Sequence, residues 1–111
     1  MQAREMMLQV SDETFDSVLA TVKTPVVFIM GASWCPDCQR IAPFMKNMMG
    51  DYVGKLTFLQ ADFDTAQKLK ERFEIRHIPA FILLKDGQVA DSLIEPKSIA
   101  PVKAFLDRAI A

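Results

Sequence analysis

The chain has 111 residues, 50% of them apolar, and its 13 basic and 14 acidic side chains leave a net charge of −1. This size fits a single domain over residues 1–111 that buries a core without disulfide staples. The balanced charge argues against nucleic-acid and anionic membrane partners, and no segment has the apolar length of a membrane span or a signal peptide. We therefore expect a cytoplasmic monomer, unless a leader has been removed, whose partners are proteins or small thiols.

The first third of the chain is predicted to fold as strand, helix and strand. A short strand is expected over residues 6–10, and Ser11 or Asp12 can cap the helix that follows. The apolar positions of that helix follow the i, i+3, i+4, i+7 spacing and are Phe15, Val18, Leu19 and Val22. The apolar run over residues 26–30 is typical of a strand buried on both faces, and Gly31 allows the chain to turn after it.

A second helix, strand and helix are predicted in the middle of the chain. The helix begins at Pro36 and should bend at Pro43, which lacks an N–H. Its inward face comprises Cys38, Ile41, Ala42, Met45 and Met49. Residues 56–61 form a buried strand, and Asp64 with Gln67 makes a capping pattern for the next helix.

The last third of the chain predicts a β-hairpin and a final helix. Strands over residues 80–84 and 88–93 are joined by a turn at residues 85–87, which is too short for anything but antiparallel pairing. Ser98 can cap the last helix. The whole order is β-α-β-α-β-α-β-β-α.

The sequence contains two cysteines, Cys35 and Cys38, which lie where a buried strand gives way to a helix. Residues three apart at a helix start have Cα atoms about 5 to 6 Å apart, a distance that a disulfide spans. A bridge that closes so short a loop adds little stability. The pair is therefore better explained as a reversible redox couple than as a structural disulfide.

Four segments of the chain together resemble known landmarks of one family. They are Trp34-Cys35-x-x-Cys38, Ile41-Ala42-Pro43, Ile78-Pro79 and Lys85-Asp86-Gly87. The chain resembles the thioredoxin family over residues 6–111, which implies the thioredoxin fold, an α/β fold with a central mixed sheet flanked by helices. The resemblance also implies a thiol-disulfide oxidoreductase that reduces disulfides of proteins or small molecules and is re-reduced by a separate reductase. It further implies a disulfide between Cys35 and Cys38, a cis bond before Pro79, and no metal or organic cofactor.

The chain departs from the family at several positions. Thioredoxins generally carry Gly-Pro between the cysteines, whereas this chain carries Pro36-Asp37, as does a thioredoxin-related group named for this motif. The family's buried aspartate and its nearby lysine align with Ile29 and Gln60, and the glycine of its substrate-docking loop aligns with Glu95. We therefore expect an altered redox poise, a more acidic and less flat groove, and a narrower set of clients.

The predicted helix start assigns different roles to the two thiols. Unpaired N–H groups and the partial positive charge there should stabilise the thiolate of Cys35, which we expect to attack the client disulfide. Cys38 lies one turn inward and should resolve the mixed disulfide. Asp37 adds negative charge close to Cys35, which would favour the disulfide form and a reducing poise; alternatively, Asp37 is only a good first-turn helix residue screened by water.

Other residues near the motif have a functional and a structural interpretation. Trp34, Phe63 and Ile78 can form an apolar collar that grips the client beside Pro79, although Phe63 can equally be a core residue. His77 is the only histidine, which excludes sites that need several histidines. It can titrate beside the sulfurs or be an exposed loop residue without function.

Two further functions remain open on sequence alone. The chain can be a redox-switched binding module that docks partners through the collar and Glu95 with little turnover. Zinc binding by two thiolates would need a dimer that brings two motifs together, since zinc takes four ligands. The methionines are expected to fill the core, and Asp62 with Asp64 to cap or end a loop, so neither group predicts a metal or carboxylate site.

Overall fold

The computed structural model describes residues 7–111 of the chain, and its elements follow the predicted order. The strands are β1 (Met7–Gln9), β2 (Val26–Gly31), β3 (Thr57–Asp62), β4 (Ala80–Lys85) and β5 (Gln88–Ile94). The helices are α1 (Phe15–Leu19), α2 (Pro36–Met48), α3 (Gln67–Arg72) and α4 (Ile99–Ala109), and a 3₁₀ turn at Met49–Tyr52 follows α2. Met6, which the sequence placed in the first strand, lies outside the described residues.

The five strands form one mixed sheet in the order β1-β3-β2-β4-β5. The strands β1, β3 and β2 run parallel to one another, while β4 is antiparallel to β2 and β5 is antiparallel to β4. The central strand β2 is buried from Val26 to Met30, because its apolar side chains face helices on both sides of the sheet. This mixed sheet flanked by helices confirms the predicted α/β fold class.

The hairpin between β4 and β5 confirms the predicted antiparallel pairing. Its two turn residues, Asp86 and Gly87, have φ angles of 53° and 78°. A two-residue turn with positive φ at both positions matches the right-handed twist of the flanking strands, and Asp-Gly is a preferred sequence for it. The turn places the start of β4, which leads out of the loop containing Pro79, beside the end of β5.

The core has two layers, one on each face of the sheet. Helices α1 and α3 cover the first face, where the rings of Phe15, Phe28 and Phe73 lie with centroids 5.1 to 5.6 Å apart. Helices α2 and α4 cover the second, where the ring centroids of Phe81 and Phe105 are 6.4 Å apart. Burial of each such ring contributes about 1.5 to 3 kcal/mol. Within residues 7–111, none of these helices has the length and apolar character needed to cross a membrane.

Asp12 caps a different helix from the one predicted. Helix α1 begins at Phe15 with Thr14 in the N-cap position, and no side chain caps it. The carboxylate of Asp12 instead accepts hydrogen bonds from the backbone N–H groups of Lys68 (3.2 Å) and Leu69 (3.0 Å) in the first turn of α3. A residue of the β1–α1 loop therefore supplies the cap of a helix from the second half of the chain.

The other predicted caps and helix faces also need correction. Asp64 does not cap α3: the N-cap position is Ala66, and Gln67 donates from Nε2 to the Asp64 carbonyl oxygen at 3.0 Å. Ser98 occupies the N-cap position of α4 as predicted, but its side chain makes no capping hydrogen bond. Ala42 is exposed rather than part of the inward face of α2. These errors arise because periodicity locates a helix better than it assigns the hydrogen bonds at its ends.

Candidate active site

Cys35 occupies the N-cap position of α2. Its Sγ accepts a hydrogen bond from the backbone N–H of Cys38 at 3.3 Å, and Pro36 follows at the first helical position. An N-cap side chain satisfies a helix N–H that would otherwise be unpaired, and the helix dipole favours negative charge at this point. The sulfur of Cys35 is therefore held against the first turn of α2, at the positive end of the helix dipole.

Cys38 lies one turn further along α2, and its thiol has a raised pKa. Burial raises the pKa of Cys38 to about 12, with the hydrogen bond to Cys35 and the charges of Cys35 and Asp37 acting in the same direction. Space for its sulfur comes from Gly31, since a Cβ at that position would lie 3.1 Å from Cys38 Sγ. Gly31 thus ends β2 and makes room for the thiol rather than turning the chain.

The relative burial of the two cysteines differs from the expectation that only Cys38 faces inward. Cys35 is 4% exposed, whereas Cys38 is of intermediate exposure. Both are free thiols. The loop at Ile78 covers Cys35, so a client disulfide has to seat against that loop to reach the sulfur.

The loop before β4 faces Cys35. The peptide bond between Ile78 and Pro79 is cis, as the sequence led us to expect. The thiol of Cys35 lies 3.8 Å from the Ile78 carbonyl oxygen, which accepts its hydrogen bond, and the Pro79 carbonyl accepts from the N–H of Glu95 at 2.8 Å. Ile78, Pro79 and Glu95 therefore line one continuous wall that begins at the sulfur.

Asp37 belongs to a charged group that we call the rim cluster, formed by Asp37, Arg40, Glu95 and Lys97. One carboxylate oxygen of Asp37 accepts from Arg40, and the other accepts from Lys97 at 2.9 Å. Lys97 also lies 3.6 Å from the carboxylate of Glu95, and Arg40 donates to the Lys97 carbonyl at 3.3 Å. The cluster connects the first turn of α2 to the loop after β5.

The rim cluster is balanced in charge, with two cations against two carboxylates. The hydrogen bond from Lys97 is the main cause that lowers the pKa of Asp37, and the same bond raises the pKa of Lys97. Both groups are therefore ionised at neutral pH. The sequence predicted an acidic groove beside Glu95, but the positive charges of Arg40 and Lys97 offset the negative charge there. Sequence reasoning missed these two residues, although the i, i+3 spacing of Asp37 and Arg40 is a signal for an ion pair on a helix.

Trp34 is the most prominent apolar side chain beside the cysteines. It is 57% exposed, and its indole N–H lies 2.8 and 3.1 Å from the two carboxylate oxygens of Asp64. The Phe63 ring meets Trp34 edge-on with centroids 6.3 Å apart, and the Lys70 ammonium lies 3.8 Å from the Phe63 centroid. Asp64 therefore orients Trp34 instead of capping α3. Of the predicted collar, Trp34 and Phe63 contact each other, and Phe63 and Ile78 both belong to the apolar cluster that contains Cys35.

His77 is an exposed residue of the same loop, directly before Ile78. Among residues 7–111, it makes no hydrogen bond or ion pair with another side chain. Asp62, at the end of β3, accepts from the backbone N–H of Asp64 at 2.9 Å, as a residue that orders a loop does. Neither side chain contacts the sulfurs.

A cavity of about 450 Å³ lies behind Cys38, between α2 and the strands β1, β3 and β2. Its floor includes Ile29 and Gln60, which face each other in the β2–β3 register, and Gln60 accepts a hydrogen bond from Gln9 at 2.8 Å. Lys46 is the one charged side chain among the described residues that line it. This cavity wall offers no carboxylate, whereas a second cavity of about 340 Å³ that Cys38 also lines includes Asp62.

Residues 7–111 contain no group of three or more histidine, cysteine, aspartate or glutamate side chains placed to hold a metal ion. The chemistry available at the site is that of the two thiols, the apolar residues beside them and the rim cluster.

Comparison with known proteins agrees with this arrangement. The Thioredoxin family model matches residues 6–108. Thioredoxin C-2 of Corynebacterium nephridii is 30% identical over 90% of this chain and 93% of its own length. The thioredoxins of Pseudomonas aeruginosa and Staphylococcus saprophyticus are 32% and 35% identical, over 93% and 81% of this chain and 95% and 86% of their own lengths. The chain therefore belongs to the thioredoxin family and is, in general terms, a thioredoxin-like thiol-disulfide oxidoreductase.

Proposed function

We propose that this protein reduces disulfides of proteins or small molecules through a dithiol-disulfide cycle of Cys35 and Cys38. The observation that carries the proposal is the asymmetry of the two thiols. The Cys35 sulfur accepts a helix N–H, while burial raises the pKa of Cys38 to about 12. Cys35 is thus placed to attack the client disulfide, and Cys38 stays protonated until the mixed disulfide has formed.

The cycle transfers two electrons to the client. The Cys35 thiolate attacks one sulfur of the client disulfide, a mixed disulfide forms, and the other client sulfur leaves as a thiolate that takes up a proton. Cys38 then loses its proton and attacks Cys35 Sγ, which breaks the mixed disulfide and releases the second client thiol. Cys35 and Cys38 are now joined by a disulfide, which a separate reductase converts back to the dithiol. We assign the cycle to the reducing cytosol, where a lone cysteine pair is more often catalytic than structural.

The residues around Cys35 are proposed to seat the client. Ile78 and Pro79 form the wall that faces the sulfur, and Trp34 with Phe63 forms an apolar contact on the other side. A large aromatic side chain that is exposed yet held in place by a hydrogen bond binds an apolar partner with little loss of conformational entropy. Glu95 limits the far end of the groove.

A matched pair of variants tests this seating. Trp34→Ala should lower kcat/KM for a protein disulfide severalfold, whereas Phe44→Ala should leave it unchanged. Phe44 is the matched control because it is 52% exposed, comparable with Trp34 at 57%, and lies further along α2. Equal losses in the two variants would contradict a role for Trp34 in client binding.

Three residues are proposed to tune the redox chemistry. Pro36 occupies the first helical position, where its missing N–H costs no hydrogen bond and its fixed φ keeps Cys35 at the helix end. Asp37 adds negative charge near the sulfurs, and His77 directly precedes Ile78 in the loop that faces Cys35. If His77→Gln leaves the pH profile of disulfide reduction unchanged, His77 has no such role.

A turnover assay tests the proposed function. Purified protein supplied with a dithiol or a reductase should reduce an insulin-type disulfide or a small disulfide catalytically, and Cys35→Ser should abolish the activity. Because Ser is nearly isosteric with Cys and is a preferred N-cap residue, this variant should keep the start of α2 and fold. No turnover by the parent, or equal turnover by Cys35→Ser, would contradict the proposal.

A binding module with little turnover is the second candidate, and the low exposure of Cys35 beside the exposed Trp34 is the observation that favours it. Such a module would hold partners through Trp34 and the rim cluster, and thiol reductants would not release them. An oxidoreductase instead holds its client through a bond that reductants break.

A further inference from the structure

We infer that Arg40 and Lys97 select client polypeptides that carry an acidic side chain next to the disulfide. This inference rests on the proposed function and concerns its substrate class. Arg40 lies on α2 five residues after Cys35, and Lys97 lies in the loop that follows β5.

Contacts link the rim cluster to the groove on both sides of Cys35. Asp37 lies two residues after Cys35 and holds Lys97 at 2.9 Å. Lys97 forms an ion pair with Glu95, and the backbone N–H of Glu95 donates to the Pro79 carbonyl. The residue before Pro79 is Ile78, whose carbonyl faces the Cys35 sulfur. A client chain that lies across this groove, with its disulfide at Cys35, therefore meets the rim cluster within a few residues.

The cations of the rim cluster are its outermost groups. The side chains of Lys97 and Arg40 are 66% and 55% exposed, whereas those of Glu95 and Asp37 are 43% and 18% exposed. The most exposed charged groups that a client meets here are therefore an ammonium and a guanidinium. An acidic side chain complements both of them, while a basic side chain is repelled.

Arg40 retains donors for a client carboxylate. Its hydrogen bonds to Asp37 and to the Lys97 carbonyl both come from Nη1. Within the described part of the chain, Nη2 and Nε make no further hydrogen bond, and these two nitrogens present the parallel N–H groups that bind a carboxylate in bidentate geometry. Because Asp37 already holds the guanidinium in place, binding a client carboxylate costs little additional side-chain entropy.

The test uses three disulfide-linked peptide dimers that differ only in the residue beside cysteine, which is Asp, Ser or Lys. Pre-reduced protein is mixed with each dimer, and the second-order rate constant of peptide thiol release is measured. At low ionic strength we expect the Asp peptide to react about two to five times faster than the Ser peptide and the Lys peptide to react more slowly, since exposed ion pairs contribute effects of this size. The differences should shrink in high salt because exposed charges are screened.

Matched variants distinguish recognition by Arg40 and Lys97 from an effect of the protein's net charge. Arg40→Gln and Lys97→Gln should bring the Asp to Ser ratio close to one while the Ser peptide still reacts, and Arg40→Lys or Lys97→Arg should retain part of the preference. Lys85→Gln makes the same change of charge at the opposite end of the sheet, at the end of β4, and should leave the ratio unchanged.

The possible outcomes distinguish the inference from the proposed function. The inference alone would be contradicted by equal rates for the three peptides or by a preference for the Lys peptide. It would also be contradicted if Lys85→Gln lowered the Asp to Ser rate ratio as much as Lys97→Gln does. Failure of the parent protein to react with any of the three peptides would contradict the proposed function and the inference together.

Discussion

At the scale of single residues, the charge of Asp37 depends on partners that are distant in sequence. Its two carboxylate oxygens pair with Arg40 and with Lys97, which lies 60 residues further along the chain. The sequence alone suggested an uncompensated negative charge beside Cys35. In the folded protein the field at Cys35 includes the two carboxylates and two cations of the rim cluster, so we expect a smaller effect of Asp37 on the redox potential than the sequence implied.

Opposite substitutions in the rim cluster should shift the reduction potential in opposite directions. Asp37→Asn removes a negative charge, which stabilises the Cys35 thiolate and makes the potential less negative; Lys97→Gln removes a positive charge and makes it more negative. We expect shifts on the order of 10 mV, because Lys97 is exposed to solvent and the charge of Asp37 is compensated by Arg40 and Lys97. Equilibration with a dithiol buffer measures both values. Unchanged potentials would mean that water screens the cluster, and shifts of the same sign would indicate a structural effect instead.

The high pKa of Cys38 predicts how the second chemical step depends on pH. A preformed mixed disulfide between Cys35 and a chromogenic thiol should release that thiol about tenfold faster per pH unit from neutral pH to at least pH 9, because only the Cys38 thiolate attacks and its pKa lies well above the ordinary value of 9.0. The release is followed by absorbance. A plateau at or below pH 8 would contradict the raised pKa of Cys38.

At the scale of elements, the cap of α3 is a tertiary contact. Helix α3 has six residues and is too short to be stable alone, so it depends on packing and on the hydrogen bonds from Asp12 to the N–H groups of Lys68 and Leu69. The sequence pattern placed the cap of this helix at Asp64, whose side chain in fact holds Trp34. Local capping patterns did not reveal a cap that comes from another loop.

Removal of this cap should destabilise the protein measurably. Asp12→Ala should lower the free energy of unfolding by about 1 kcal/mol, within the range of about 0.5 to 2 kcal/mol typical of lost N-caps, and Asp12→Asn should lower it less. Urea denaturation measures the change. Glu13→Ala is the matched control, since the Glu13 carboxylate is next in sequence to Asp12 and makes no hydrogen bond to α3 among the described residues. If the two alanine variants lose equal stability, Asp12 does not act as the cap.

Most elements were predictable because their signals are local. The apolar run of β2 and the Asp86-Gly87 turn each define their own structure, and the strands β2, β3 and β4 match their predicted bounds within one residue at each end. The strand order β1-β3-β2-β4-β5 is not local, since it separates β1 from β2 and places β4 beside β2. The sequence did not predict this order, whereas the cis bond before Pro79 was expected from the family resemblance.

The candidate site likewise has one part that the sequence predicts and another that it does not. Cys35 and Cys38 are close in sequence, and a helix start predicts their geometry, whereas the contacts of Trp34 with Asp64 and of Asp37 with Lys97 join residues 30 and 60 positions apart. No periodicity or spacing rule reports such contacts. The side chains that surround the reacting sulfur could therefore be found only from the folded chain.

At the scale of the whole molecule, Cys38 links stability to pH. Its pKa is raised from 9.0 to about 12 in the folded protein, so the native state binds this proton more tightly than the unfolded state does. The resulting stabilisation is fully present below pH 9.0 and is lost as pH rises toward 12. Reduced protein should therefore lose unfolding free energy in this window more steeply than Cys38→Ser, which has no thiol to ionise. Parallel pH profiles from chemical denaturation would contradict this.

The same raised pKa should give the two thiols unequal reactivity in the intact molecule, and a trapping experiment tests this expectation most directly. Cys38→Ser is incubated at neutral pH with an oxidised protein substrate, and adducts are mapped by mass spectrometry without reductant. The account predicts mixed disulfides at Cys35 that a thiol reductant releases, and far fewer adducts at Cys38 in the Cys35→Ser protein. Equal trapping by the two variants, or partners that stay bound after reduction, would contradict the assignment of Cys35 as the attacking thiol of a disulfide reductase.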